Sequence, residues 1–160
     1  MMNIKRASGI YILETSQVLN TTIEQAWGLL SSPENLQRIT PPSMGFKITS
    51  GGGKAMYAGQ IITYKVRIAK WVVNNWVTEI THVKDQYYFI DEQRVGPYRM
   101  WHHEHWIRQR ADGVEMFDRI TYKVPFGFLG HIAHWVFVKR KLLAIFQFRR
   151  EKLTELFPEK

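Results

Sequence analysis

Strand-like patterns of apolar and polar positions run over Ile10–Leu19 and again from Met44 to Val124, and the period becomes helical near the end of the chain. Ile10–Leu19 has strand composition, with Ile10, Ile12 and Val18 beside Tyr11, Leu13 and Leu19. Thr21 and Glu24 then fit a capping box, which predicts a helix burying Ile23, Ala26, Trp27 and Leu30. Ser32-Pro33-Glu34 signals a second helix start, because Pro33 needs no amide partner in a first turn. That short helix carries Leu36 and Ile39 and stops before Pro41-Pro42.

Strand patterns follow over Met44–Thr49, Gly59–Lys70, Trp71–Val83, Tyr87–Val95, Tyr98–Arg108 and Val114–Val124. Gly51-Gly52-Gly53, Asp85-Gln86, Gly96-Pro97 and Ala111-Asp112-Gly113 punctuate them as turns, the spacing of an antiparallel meander. Pro125-Phe126-Gly127 ends the sheet. From about Gly130 to Phe157 a stripe of Ile132, Trp135, Val136, Leu142, Leu143, Phe146, Leu153 and Leu156 predicts one long helix of about 40 Å. Lys139 falls within the stripe, so its stem is expected to snorkel. A sheet with one apolar face and a helix with one apolar stripe must cover each other. The expected fold is α+β: a curved antiparallel sheet of six or seven strands wrapped around a long C-terminal helix, with two short helices after the first strand.

Composition narrows the chemistry. The 160 residues are expected to form a single domain spanning 1–160. There is no Cys, which excludes disulfides and thiolate chemistry. Neither a phosphate loop nor a nucleophile elbow occurs, since Gly51-Gly52-Gly53-Lys54 has the wrong spacing and Ala55 after the lysine. The formal charge is +8, split as +4 in each half of the chain, so no domain-sized basic face points to specific nucleic-acid binding. Only the last thirty residues are locally dense in Lys and Arg, including Arg149 and Arg150, and these read as solvated helix flanks. The charge admits weak contact with an anionic membrane surface. No apolar run is long enough to span a bilayer and no secretory signal is seen, so a cytoplasmic location is expected.

The sharpest polar cluster is His102-His103-Glu104-His105. On a strand, Trp101, His103, His105 and Ile107 share one face. In the next strand Val114, Met116, Asp118, Ile120 and Tyr122 share the apolar and therefore inner face, so Asp118 needs a partner there. Asp91 and Gln93 align with Phe89 and Val95. Asp91, Gln93, His103, His105 and Asp118 are thus expected to form a polar floor, with a histidine paired to Asp118 or Asp91. Phe89, Trp101, Met116, Ile120, Trp135 and Phe146, with Trp76 the least regular in its alternation, supply apolar lining. A packed hydrogen-bond network without a ligand remains an open reading of the floor, and so does a metal held by the two histidines with Asp118 or Asp91. No metal or other cofactor is assigned. His131 and His134 are expected at the cavity mouth or in solvent, and Arg119 with Glu115 as a surface pair.

The element order resembles the helix-grip fold of the START and Bet v 1-like superfamily. More closely, Phe89-Ile90-Asp91-Glu92-Gln93-Arg94-Val95-Gly96-Pro97-Tyr98, then Trp101, His103, His105, Met116, Asp118, Tyr122 and Pro125, resemble bacterial SRPBCC proteins of the polyketide cyclase- and dehydrase-like subgroup. Leu142 to Arg149 resembles that subgroup too. The resemblance implies a cavity between sheet and helix for a lipid, quinone, polyketide or aromatic molecule. Binding or transport of such a small hydrophobic molecule is the preferred reading. A cyclase, dehydrase or hydrolase using His103, His105 and Asp118 is the alternative. The relatives that are Rieske oxygenases carry an additional cluster domain, for which this chain has neither the length nor the cysteines. Neither the ligand nor the oligomeric state is specified by the sequence.

Overall fold

The computed structural model describes residues 2–53, 55–69 and 71–158; Lys70, expected to close a strand, lies outside them. Eight strands form one antiparallel sheet: β1 (Met2–Ala7), β2 (Ile10–Leu19), β3 (Lys47–Ser50), β4 (Gln60–Ala69), β5 (Val72–Lys84), β6 (Tyr88–Val95), β7 (Met100–Arg110) and β8 (Gly113–Lys123). Their spatial order is β1-β2-β8-β7-β6-β5-β4-β3, so a simple meander is joined at β8 to the N-terminal hairpin. The sheet packs against the C-terminal helix in the helix-grip arrangement. Between β2 and β3 lie α1 (Ile23–Leu30) and α2 (Pro33–Leu36), the latter running into a 3-10 turn at Gln37–Ile39.

The count of six or seven strands therefore becomes eight. The additional strand is β1, joined to β2 through Ser8 and Gly9, both with positive φ (48° and 79°). Two left-handed residues make the tight turn whose twist suits a hairpin. The helix start also differs by one residue: Thr22, not Thr21, caps α1 by accepting a hydrogen bond from the Gln25 amide.

The C-terminal helix runs from α3 (Gly127–Ala133) through a π turn (His134–Val138) into α4 (Lys139–Leu156). A π turn inserts one extra residue into the helical register and rotates whatever precedes it. The buried line runs through Gly130, His134, Leu142, Phe146, Arg149 and Leu153. Ile132, Trp135, Val136 and Lys139, expected in that stripe, are exposed instead. Gly130 is required where the helix starts, because a Cβ there would lie 1.8 Å from the Pro125 carbonyl oxygen. No helix among the described residues is long and apolar enough to cross a membrane.

Three apolar clusters surround the inner face. One joins Leu19, Trp27, Leu30, Phe89, Met116 and Leu153 beneath α1 and the end of α4. A second joins Tyr11, Leu13, Ile120, Tyr122, Leu142 and Phe146. A third, Phe46, Val66 and Trp76, lines the far wing of the sheet. Polar residues on the inner face of β6, β7 and β8 lie between these clusters and mark the site.

Candidate functional site

Strand register builds the polar cluster. Asp91 pairs across β6 and β7 with His103, and His105 pairs across β7 and β8 with Asp118. The close contacts are diagonal as well as direct. His105 Nε2 lies 2.9 Å from Asp91 Oδ2, and His103 Nε2 lies 3.1 Å from Asp118 Oδ1. His105 Nδ1 is 2.8 Å from Asp118 Oδ1, off the line of a good hydrogen bond and therefore chiefly a Coulombic contact. His103 Nδ1 is 3.5 Å from Asp91 Oδ2. The two rings lie with centroids 3.6 Å apart, and His105 stacks on Phe89 at 4.1 Å.

Arg149 completes the cluster from the helix. Its guanidinium lies over the Phe146 ring at 4.9 Å, with Nη1 3.6 Å from Asp118 Oδ1. It is 7% exposed, and its buried Nε and Nη1 have no hydrogen-bond acceptor. Arg149, expected on a solvated helix flank, is buried instead. The available signal was its spacing, three residues after Phe146 and four before Leu153 on one helical face.

The protonation states follow from these neighbours. Burial disfavours charge on His105, but the carboxylates of Asp118 and Asp91 on its two nitrogens outweigh that and raise its pKa. Burial and the adjacent His105 lower His103 to about 4 despite the same carboxylates. Burial pushes Asp118 and Asp91 upward, yet His103, His105 and Arg149 overcome it and hold both low, Asp118 well below the usual range. Between about pH 4 and 6.5 the cluster is two carboxylates balanced by His105 imidazolium and the Arg149 guanidinium, with His103 neutral. Charge neutrality is what allows these ions to be buried. One ligand atom each from Asp91, His103 and His105 lies within 4.8 Å of the others, so this trio has the spacing to hold a metal ion. A metal would have to displace the His105 proton beside the Arg149 charge.

Between the sheet and the helix is a cavity of about 340 Å³. Asp91, His103, His105 and Arg149 face it at one end; Phe46, Tyr64, Trp76, Phe89, Trp101 and Phe146 form much of its apolar wall. The Trp76 indole Nε1 is also buried without an acceptor.

Other residues expected at the cavity are placed differently. Met116 and Ile120 are packed in the core rather than on the cavity wall, because α4 covers this part of β8. Asp118 stands behind the two rings, between them and Arg149. Gln93 braces the β6–β7 turn: its Nε2 donates to the Tyr98 carbonyl at 2.7 Å and its Oε1 accepts from the Tyr98 amide. Trp135 is 78% exposed, on the outside of the π turn. His134 is buried, with Nε2 2.8 Å from the Tyr122 hydroxyl and its ring 3.5 Å from that of Tyr11. His131 contacts the Tyr11 hydroxyl at 2.8 Å and Arg6 at 3.3 Å. His134 therefore occupies neither solvent nor the cavity mouth. Arg119 pairs with Glu14 across β2 and β8, not with Glu115.

No known family profile matches the sequence, and no curated protein does. Solved structures do match in fold. A protein from Rhodobacter sphaeroides superimposes with a TM-score of 0.67 at 15% identity, covering 98% of this chain and 99% of that one. One from Chromobacterium violaceum gives 0.69 at 10% identity, over 93% and 99%. Ara h 8.0201 gives 0.58 at 11%, over 92% and 99%. At such identities the likeness concerns the fold, and it agrees with the sheet and helix described above: this chain has a helix-grip-like architecture.

Proposed function

We infer that the protein binds or carries a small, mostly apolar molecule with one hydrogen-bond-accepting end, as an SRPBCC-type member of the helix-grip fold. The observation that carries this reading is a cavity with apolar walls in which the uncommitted polar atoms are donors. Arg149 Nε and Nη1 and Trp76 Nε1 are all buried without acceptors. Leaving such donors unsatisfied costs about 1–3 kcal/mol each, and more for a charged one. A ligand oxygen, with small shifts of the two side chains, offsets that cost. A volume of about 340 Å³ falls in the usual range for small-molecule pockets. Quinones, aromatic acids and short polyketides have the required chemistry, and a cytoplasmic location is consistent with it.

Native mass spectrometry of the purified protein, before and after adding menadione, is the direct test. A one-to-one complex weakened by Arg149→Met supports the reading. Absence of any co-purified or added small molecule, with the fold intact by circular dichroism, overturns it. The second reading is catalysis, favoured by His103, His105 and Asp91 facing the cavity as groups of acid–base type. It predicts that His103→Gln retains binding and abolishes turnover.

A further inference from the structure

Large exposed apolar side chains gather beside the mouth of the cavity. Phe126 is 82% exposed and Phe137 48%, yet both also line the cavity, which places its opening beside α3 and the π turn. Phe128, Leu129, Ile132 and Trp135 project from the same helical segment, at 76%, 69%, 48% and 78% exposure. Soluble surfaces seldom gather this many large apolar side chains without something to cover them.

The charges around the patch have one sign. No Asp or Glu occurs from residue 119 to residue 150, nor from residue 35 to residue 78. These two stretches meet at the mouth, where the Lys141 ammonium donates to the carbonyls of Arg67 and Ile68 at the end of β4. Lys5, Arg6 and Lys139 flank Ile132 and Trp135 around a shallow hollow, and Arg140 is exposed beside it. Lys5 contacts Glu14 only at 3.5 Å, and the titratable groups facing Arg6 are His131, Tyr11 and His134.

We propose that this rim docks on an anionic lipid surface, with Phe128, Leu129, Ile132 and Trp135 entering the headgroup boundary and Arg6, Lys139 and Arg140 meeting the lipid charges. The pattern is that of an interfacial helix: bulky apolar and aromatic side chains, flanking cations and no acid. A protein partner would offer mixed charges and hydrogen bonds, for which this rim presents no carboxylate but Glu14, already held by Arg119 and Lys5. Docked in this way, the cavity opens toward the hydrocarbon rather than water, so an apolar molecule could pass without crossing solvent. The docking does not depend on which molecule the cavity takes.

Vesicle flotation with the full chain tests the proposal. The protein is expected to float with phosphatidylglycerol vesicles at low salt, to be released at high salt, and to remain behind with phosphatidylcholine alone. Trp135→Glu combined with Phe128→Glu should weaken flotation roughly tenfold or more, since both side chains lose their apolar insertion. Lys139→Glu with Arg140→Glu should weaken it and flatten its salt dependence. Circular dichroism checks that each variant is folded, and Trp135→Ser replaces the double variant if that one is not. Failure of the wild type to float, or unchanged flotation of a folded apolar variant, overturns the proposal. So does a dimer in sedimentation velocity that dissociates with these substitutions, because a second copy would then cover the patch. Failure here with menadione still bound would leave the ligand reading standing, and the reverse result would separate them equally.

Discussion

Two buried histidine sites share the inner row of β8 and have opposite electrostatics. Asp118 meets His103 and His105; four residues on, Tyr122 meets His134. His105 and His134 are about equally buried, at 5% and 4% exposure. Burial raises the cost of charge at both. Carboxylates on each ring nitrogen reverse that cost for His105 and raise its pKa. Beside His134 stand a phenol and the cations Lys139 and Arg6, so burial prevails and its pKa falls to about 4. Between these two rings the partner decides; His103 shares the carboxylates, but burial and the neighbouring His105 still keep it low.

The largest expected effect comes from removing the carboxylate. Asp118→Asn should cost about 3–5 kcal/mol at neutral pH, because it leaves Arg149 and His105 facing one buried acid instead of two. Urea unfolding measures this, and a cost below about 1 kcal/mol would break the contrast between the sites. The pH dependence has a defined sign. A raised His105 contributes stability that is complete below its unfolded value of about 6.5 and is lost as pH rises through the folded value. The depressed Asp118 contributes above its unfolded value of about 3.9 and loses that contribution as pH falls through its folded value. The variant should therefore show a flatter decline on the alkaline side of about pH 6.5, and in NMR titration its His105 should titrate lower than in the wild type.

The second effect is smaller and has no alkaline component. Tyr122→Phe removes the hydroxyl from His134 Nε2 and should cost about 1–2 kcal/mol by leaving one neutral buried nitrogen unpaired. The His134 pKa is depressed, so its neutral form supports the fold fully above about 6.5, and stability declines as pH falls toward about 4. In the wild type, NMR should find His134 uncharged at pH 6 while His105 is protonated. Finding both charged at that pH would remove the proposed distinction.

The two sites also differ in how far the sequence revealed them. Alternation along β7 and β8 placed His103, His105 and Asp118 on one inner surface, because strand period is fixed by the pleat. The same logic gave the sheet, the short helices and the long helix. It could not give the helix face before Lys139, because a π turn leaves the sequence period intact while turning the side chains. That single inserted residue moved Trp135 outward and His134 inward. Arg149 was hidden differently: a basic residue in a basic tail reads as solvated unless its position on the Phe146–Leu153 face is weighed above its charge. Met116 and Ile120 were correctly inward, but inward residues reach a cavity only where no helix covers them. β1 was legible in principle from Ser8-Gly9 following the polar–apolar alternation of Asn3, Ile4 and Lys5.

The smallest effect separates His131 from its neighbour. His131 and His134 lie three residues apart on the same helical stretch, and both contact tyrosines of the inner sheet. His131, however, is only partly buried, with its nitrogens shared between the Tyr11 hydroxyl and the exposed Arg6. Water can replace either contact when the ring is removed, at little enthalpic loss. His131→Gln should therefore cost under about 0.5 kcal/mol, a drop of about 1–2 °C in Tm for a chain of this size. The comparison is with Tyr122→Phe, read by the same thermal unfolding at the same pH. If His131→Gln destabilises as much as Tyr122→Phe, the tyrosine–histidine layer acts as one unit, and the π turn secures it through both rings rather than through His134 alone.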